Sequence, residues 1–282
     1  MYESFFGLEE RPFSISPDPR FFFLSSQHKE ALAKCQYAVQ ERMGLAVIYG
    51  DIGTGKTTIA RRLFQIFSDN PDYSTAMLVS PSLKTENALL REIMKEFGVS
   101  TQRSFADSRA AFQAFLTQQF KQNRTVVLML DEAQGIRSAN FELIRALLNF
   151  ETDRQKLLNI ILLGQNELAR KLDARPELKS RVTIFGALTS LSRDDTERMI
   201  RFRYQVSGGE ALPFDKEAID AIFRYAKGLP RMICTLCNTA LTKAFVQGRR
   251  TVNAHLMREA AEEMRLPEAI TEGGAGSARR AA

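Results

Sequence analysis

Five runs of apolar residues stand out along the first two-thirds of the chain: Leu45–Tyr49, Thr75–Val79, Thr125–Leu130, Asn159–Leu163 and a shorter one at Val182–Phe185. The middle runs are apolar at consecutive positions rather than alternate ones, which predicts strands buried on both faces of a parallel sheet. Helical spacing fills the intervals. It predicts helices over residues 27–41, where Ala31, Leu32, Cys35 and Val39 share a face and Ser26 is the expected N-cap, and over Lys56–Phe67 and Glu86–Phe97, the latter closed by Gly98. Further helices are expected over Ser104–Gln122, Ala139–Glu151 and Glu167–Leu172. Strand and helix in alternation give an α/β core.

After Leu191 the strand pattern stops. Helices fit Asp194–Val206, Lys216–Lys227, Pro230–Gln247 and Ala254–Met264, with Asp215 and Asn253 as caps, Gly228 and Gly248 as stops, and Pro230 at a first helical position. The reading is a core over residues 1–190, a helical domain over 191–266, and a disordered tail over 267–282 that is Gly/Ala-rich and too poor in large apolar residues to order itself. The opening 25 residues hold Phe5, Phe6, Phe13 and Phe21–Phe23, broken by Pro12, Pro17 and Pro19.

Composition narrows the class. With 282 residues, 44% apolar and 26% charged, the chain suits one core and a smaller second domain. No apolar run reaches membrane-span length and the N-terminus lacks a secretory pattern, so the expected compartment is the cytoplasm. The net charge of +6 permits contact with nucleic acid; the densest basic cluster, Arg193, Arg198, Arg201 and Arg203, shares its helix with acids and reads as solvated surface. Cys234 and Cys237 form a C-x-x-C inside an apolar helix without a second ligand pair, which reads as packing rather than as a metal or redox site.

The chemistry is written in two motifs. Gly50-Asp51-Ile52-Gly53-Thr54-Gly55-Lys56-Thr57, followed by Thr58, matches G-x-x-x-x-G-K-[ST] between an apolar strand and a helix. Its glycines let backbone N–H groups curl around phosphates, Lys56 supplies charge to the β- and γ-phosphates, and the Thr57 hydroxyl reaches Mg²⁺. About 75 residues on, the Thr125–Leu130 run ends in Asp131-Glu132. An acid at the C-terminal edge of a buried parallel strand faces the ligand crevice; Asp131 is expected to hold the Mg²⁺ shell and Glu132 to polarise the attacking water. Asn159–Leu163 ends in Gly164-Gln165-Asn166, where Gln165, or Asn166 as the alternative, could sense the γ-phosphate.

With these residues in view the chain resembles AAA+ ATPases of the ExeA-like (secretion-pathway protein A) group over residues 1–265. The shared features are the stretch from Phe5 to Phe21, the phosphate loop, LDEAQ at Leu130–Gln134 and L-L-G-Q-x-E-L at Leu162–Leu168. The resemblance implies a three-layer P-loop NTPase fold with sheet order 5-1-4-3-2 and a C-terminal all-helical lid. It implies that Arg181 (Arg175 as fallback) is an arginine finger reaching a neighbouring subunit, that Arg231 of Gly228-Leu-Pro-Arg is the lid's phosphate sensor, and that the Phe13–Phe23 segment packs near adenine. Secretion-linked members of the group carry a membrane span and a peptidoglycan-binding domain after the ATPase core, whereas this sequence ends first. In that it also resembles TnsC/TniB-type ATPase regulators of DNA transposition.

The expected ligands are ATP and Mg²⁺, and the expected assembly a homo-oligomeric ring or filament acting on a protein partner complex. The alternative partner is duplex DNA, touched by Lys84, Thr85, Lys121 and Arg124; a second alternative is a nucleotide-gated scaffold with negligible turnover. Val206-Ser-Gly-Gly-Glu210 is similar to the ABC-transporter signature, but it follows the acids rather than preceding them and reads as a turn. The guanine motif N-K-x-D of small GTPases is absent from the sequence.

Overall fold

The structure, a computed structural model, describes residues 1–16 and 18–267. The expected tail, apart from residue 267, lies outside the described residues. Five strands form one sheet: β1 (Leu45–Gly50), β2 (Tyr73–Val79), β3 (Thr125–Asp131), β4 (Leu158–Gly164) and β5 (Val182–Leu188). Every pairing is parallel and the order is β2-β3-β4-β1-β5, the predicted 5-1-4-3-2. The helices in chain order are α1 (Tyr2–Phe6), α2 (Ser26–Gln40), α3 (Lys56–Ser68), α4 (Glu86–Glu96), α5 (Phe105–Lys121), α6 (Ser138–Leu147), α7 (Asn166–Asp173), α8 (Pro176–Lys179), α9 (Arg193–Val206), α10 (Lys216–Ala226), α11 (Pro230–Val246) and α12 (Ala254–Glu263).

The chain folds as two compact units, one of residues 24–190 and one in which residues 1–23 join the segment from Leu191 on. In the first unit, alternate strand residues Val126, Leu128, Leu130, Ile160 and Leu162 pack with α4–α7 in one apolar core. Their neighbours Val127, Met129, Ile161 and Leu163 are buried on the opposite face, where α2 and α3 run against the strands. This double burial makes three layers and explains the uninterrupted apolar runs.

Local signals set the helix starts. Ser25, not Ser26, caps α2, its Oγ accepting the His28 N–H at 3.5 Å, because Ser26 already has helical backbone. Thr85 and Ser104 cap α4 and α5 in the same way. Helix α6 ends at Leu147, four residues before the predicted Glu151. There the chain folds back, with Leu157 N–H bonded to the Phe150 carbonyl and a bridge between Glu151 and Lys156, which buries Phe150 and Leu157.

The second unit has its own core from α9–α12, and Tyr2, Leu8 and Phe13 belong to it. The N-terminal segment is therefore part of the helical unit and not of the sheet unit, contrary to the sequence expectation. Arg203 is the reason and a second correction. Only 9% exposed, it donates to the carbonyls of Pro12 (2.8 Å), Ser14 (2.6 Å) and Phe21 (3.0 Å) and lies 5.2 Å from the Phe21 ring centre. Phe13 and Phe21 are thus packing residues of this unit. Arg193, Arg198 and Arg201 pair with acids at the surface, as expected.

Asp215 and Asn253 cap α10 and α12. Cys234 and Cys237 are free thiols buried in α11, and burial raises both thiol pKa values. Among the described residues there is no cluster of metal-binding side chains, and no helix is long and apolar enough to cross a membrane. Gly208 and Gly209 close α9 in a turn that returns the Gly209 N–H to the Tyr204 carbonyl at 3.0 Å.

Candidate functional site

Strand β1 delivers its last residue, Gly50, opposite Leu188 of β5. A Cβ there would stand 2.2 Å from the Leu188 carbonyl oxygen, so only glycine lets the chain turn off the sheet at this point. Gly53 (φ 86°) and Gly55 (φ 102°) take the left-handed backbone that curls the loop. Gly55 then opens α3 without a side-chain cap, the arrangement in which a helix N-terminus receives an anion. Thr54 is buried, its hydroxyl donating to the Asp51 carbonyl at 2.9 Å. Lys56 is 6% exposed and arches over the loop, its Nζ donating to the carbonyls of Gly50 (2.9 Å) and Asp51 (2.7 Å). Thr58 sits half-buried in the first turn of α3, and Ile52 projects outward.

Strand β3 brings the second motif alongside. The Thr57 side chain lies beside the Asp131 carboxylate and favours its ionised form. Asp131 is 2% exposed, and its Oδ1 accepts the Glu132 N–H at 2.9 Å. Burial pushes the Asp131 pKa up, and Glu132's charge adds to this; the neighbouring Thr57 side chain and the Glu132 N–H, with the Lys56 charge, pull the other way. Glu132 itself stands in the left-handed region at φ 55°, a costly conformation for a residue with a side chain, held here by what surrounds it. Its Oε2 accepts from Gln134 Nε2. Gln134 Oε1 in turn accepts the Gln165 N–H at 3.0 Å, and Lys171 Nζ pins the Gln134 carbonyl at 2.5 Å. Gly164 leaves the room for this, since a Cβ there would lie 2.9 Å from Gln134 Oε1.

A glycine-lined cradle at a helix N-terminus, with a lysine beside it and a hydroxyl–carboxylate pair facing it, fits a nucleotide triphosphate with its divalent cation. The buried, charge-disfavoured Asp131 carboxylate is a donor that a cation would compensate. Sequence comparison gives the same direction. Residues 39–172 match an AAA domain model. Over 258 residues, 89% of this chain, the sequence is 37% identical to General secretion pathway protein A of Aeromonas hydrophila. The chain belongs to the ExeA-like AAA+ ATPases. It spans 46% of that relative's length.

Solved AAA+ structures share the fold of this ExeA-like ATPase. Drosophila ORC bound to DNA matches with a TM-score of 0.68 at 18% identity, covering 91% of this chain and 65% of that one. Aeropyrum pernix ORC2 gives 0.64 at 16% (90% and 72%), and the Thermotoga maritima RuvB Holliday junction branch migration motor 0.56 at 17% (83% and 68%).

The remaining sequence-predicted residues of this ExeA-like ATPase divide by where the sheet puts them. Gln165 and Asn166 both lie at the exit of β4, beside the loop. Asn166 Nδ2 donates to Asp51 Oδ1 at 2.6 Å, while Gln165 bonds through its backbone N–H to Gln134. Arg181 precedes Val182, which pairs with Leu45 at the start of β1, whereas Gly50 ends it. Five residues of strand, about 17 Å, separate the two edges, so Arg181 sits at the edge remote from its own chain's phosphate loop. It bonds Asn149. Arg175 is committed elsewhere, to the Lys171 carbonyl at 2.6 Å and to the Phe141 ring at 4.8 Å. Arg231 is an exposed residue in the first turn of α11 in the helical unit.

The four residues named as DNA contacts do not form one patch. Lys84 and Thr85 follow the end of β2 and Lys121 and Arg124 precede the start of β3, at opposite edges of the sheet. Arg124 is engaged with the carbonyls of Pro71 (3.0 Å) and Tyr73 (2.8 Å), and Thr85 caps α4. Gln134 is the site residue whose role sequence reasoning missed: it stood inside the LDEAQ stretch, but only the turn after β3 brings its amide between Glu132 and Gln165.

Proposed function

We propose that this chain binds Mg²⁺–ATP at Gly50–Thr57 and hydrolyses it, using the cycle to drive assembly or remodelling of a protein partner complex. The carrying observation is that the buried Asp131 carboxylate lies beside Thr57 and within reach of the Lys56 charge, which brings together two motifs 74 positions apart in sequence. Loop N–H groups and Lys56 bind the phosphates, Thr57 and Asp131 hold the cation, and Arg231 serves as the lid's phosphate sensor. Bound Mg²⁺ supplies charge neutralisation on the β- and γ-phosphate oxygens. Glu132 takes the proton of the attacking water, and the Gln134 amide keeps its carboxylate aimed. Gln165 or Asn166 reports on the γ-phosphate from β4.

Arg181 sits at the sheet edge opposite its own loop, which supports a role at a neighbouring copy's site and hence a homo-oligomer. The named relative acts in general secretion, and a secretion-type assembly is the reading this likeness favours.

Phosphate release with Mg²⁺–ATP tests the proposal. Turnover per chain should rise with protein concentration, and Lys56→Ala should abolish nucleotide binding. Arg181→Ala and Glu132→Gln, each inactive alone, should regain part of the turnover when mixed, because mixed assemblies contain intact shared sites. A mixture as inactive as its components would end the shared-site reading, and a wild type without turnover would end the hydrolysis reading.

A further inference from the structure

A buried polar chain reaches the phosphate loop from outside both motifs. Ser25 caps α2, and its Oγ lies 2.8 Å from His28 Nδ1; His28 Nε2 lies 2.8 Å from the Thr54 carbonyl oxygen. Ser25 and His28 are each 2% exposed and Thr54 is fully buried. A carbonyl only accepts, so Nε2 carries a proton and donates it to Thr54, while Nδ1 is partnered by the Ser25 hydroxyl. The step that reaches the loop has one direction: His28 donates to the Thr54 carbonyl, with Ser25 holding the other side of the ring.

The acceptor matters because of the peptide unit it belongs to. No described peptide bond is cis. The Thr54 carbonyl and the Gly55 N–H therefore point to opposite sides of one plane. Holding the carbonyl toward His28 turns the oxygen out of the cradle and presents the Gly55 N–H to the cradle's other side. Donation to the carbonyl also polarises the amide and strengthens that N–H as a donor. The imidazole is packed against the loop as well, since a Cβ on Gly55 would be 3.0 Å from Nε2.

We propose that His28 is a positioning residue for the nucleotide's phosphates, acting through the Thr54–Gly55 peptide. The inference rests on Gly50–Thr57 being the phosphate loop. His28 does not touch the phosphates, because its Nε2 proton is given to Thr54. Its contribution is to remove the conformers in which the Thr54 oxygen would face an anion.

The test uses the full chain and three variants, His28→Gln, His28→Asn and His28→Ala. A glutamine amide nitrogen can occupy the Nε2 position and donate to Thr54, whereas the shorter asparagine amide falls at Nδ1. Dissociation constants for a fluorescent ADP and for ATP are measured beside kcat and KM. Loss of one such hydrogen bond should weaken binding about tenfold in His28→Ala and His28→Asn. KM should rise in step while kcat stays within about twofold, and His28→Gln should recover affinity to within about threefold of wild type. Wild-type affinity in His28→Ala, or equal recovery by asparagine and glutamine, overturns the proposal. If His28→Ala fails to fold, the glutamine–asparagine comparison decides. Binding is read whether or not the wild type hydrolyses ATP, so loss of the hydrolysis reading leaves this result standing on its own.

Discussion

Replacing Glu132 by Gln separates chemistry from binding more cleanly than any other change at this site. The side chain keeps its length and an oxygen that can still accept from Gln134 Nε2, as Glu132 Oε2 does now. What is lost is the basic carboxylate. A positioned general base contributes about 10²–10⁴ in rate, or about 3–5 kcal/mol of barrier, so kcat should fall by that factor. The neighbour should respond in the opposite sense. Glu132's charge is among the causes that raise the Asp131 pKa; removing it favours the ionised Asp131 that a cation needs. Nucleotide affinity should therefore be retained or improved. Phosphate release in a single turnover, beside equilibrium binding of a fluorescent ATP, reads both quantities. A kcat within about fivefold of wild type refutes the base assignment. Loss of binding together with turnover refutes it differently, by showing that Glu132 holds the loop rather than the water.

Other outcomes are as specific. Asp131→Asn should raise the melting midpoint of the nucleotide-free protein at pH 7 while abolishing Mg²⁺-dependent turnover. The folded carboxyl has a raised pKa, so as pH rises from the unfolded value of 3.8 through the folded one, the native state loses stability that the amide keeps. The gain should shrink as pH falls and vanish below 3.8; a lowered midpoint at pH 7 would contradict it. Gly228→Ala puts a Cβ 2.1 Å from the Leu191 carbonyl oxygen in a residue at φ 70°, and should cost about 2–4 kcal/mol in denaturant melts. Arg203→Met leaves three backbone carbonyls of the N-terminal segment unpaired, and should cost about 3–5 kcal/mol, with protease cleavage moving into residues 10–22. Burial raises all three thiol pKa values, Cys35 to about 12; thiol reagents at pH 8 should label them only at the rate of unfolding, and labelling within seconds in the native state would refute the packing assignment.

The sequence by itself determined the sheet and the motifs. Apolar runs without polar alternation, short enough for strands and set between helical segments, read as strands covered on both faces, and each run places its last residue at the C-terminal edge of the sheet. Gly50, Gly53 and Gly55 were legible because their backbone forbids or penalises a side chain. The caps at Asp215 and Asn253 were legible because an N-cap satisfies N–H groups only two or three residues ahead. Tertiary structure decided everything that depends on residues distant in sequence. Arg203 reads as one more surface charge until the carbonyls of Pro12, Ser14 and Phe21 close on it, and those bonds tie the N-terminal segment to the helical unit. Gln134 acquires its role only when β4 lies beside β3. His28 becomes part of the site only when α2 packs beneath the loop, 26 positions away from Thr54. Periodicity and local hydrogen bonding leave a signature within a few residues; the meeting of a side chain with a remote carbonyl leaves none, because any of dozens of polar residues could have supplied the same donor.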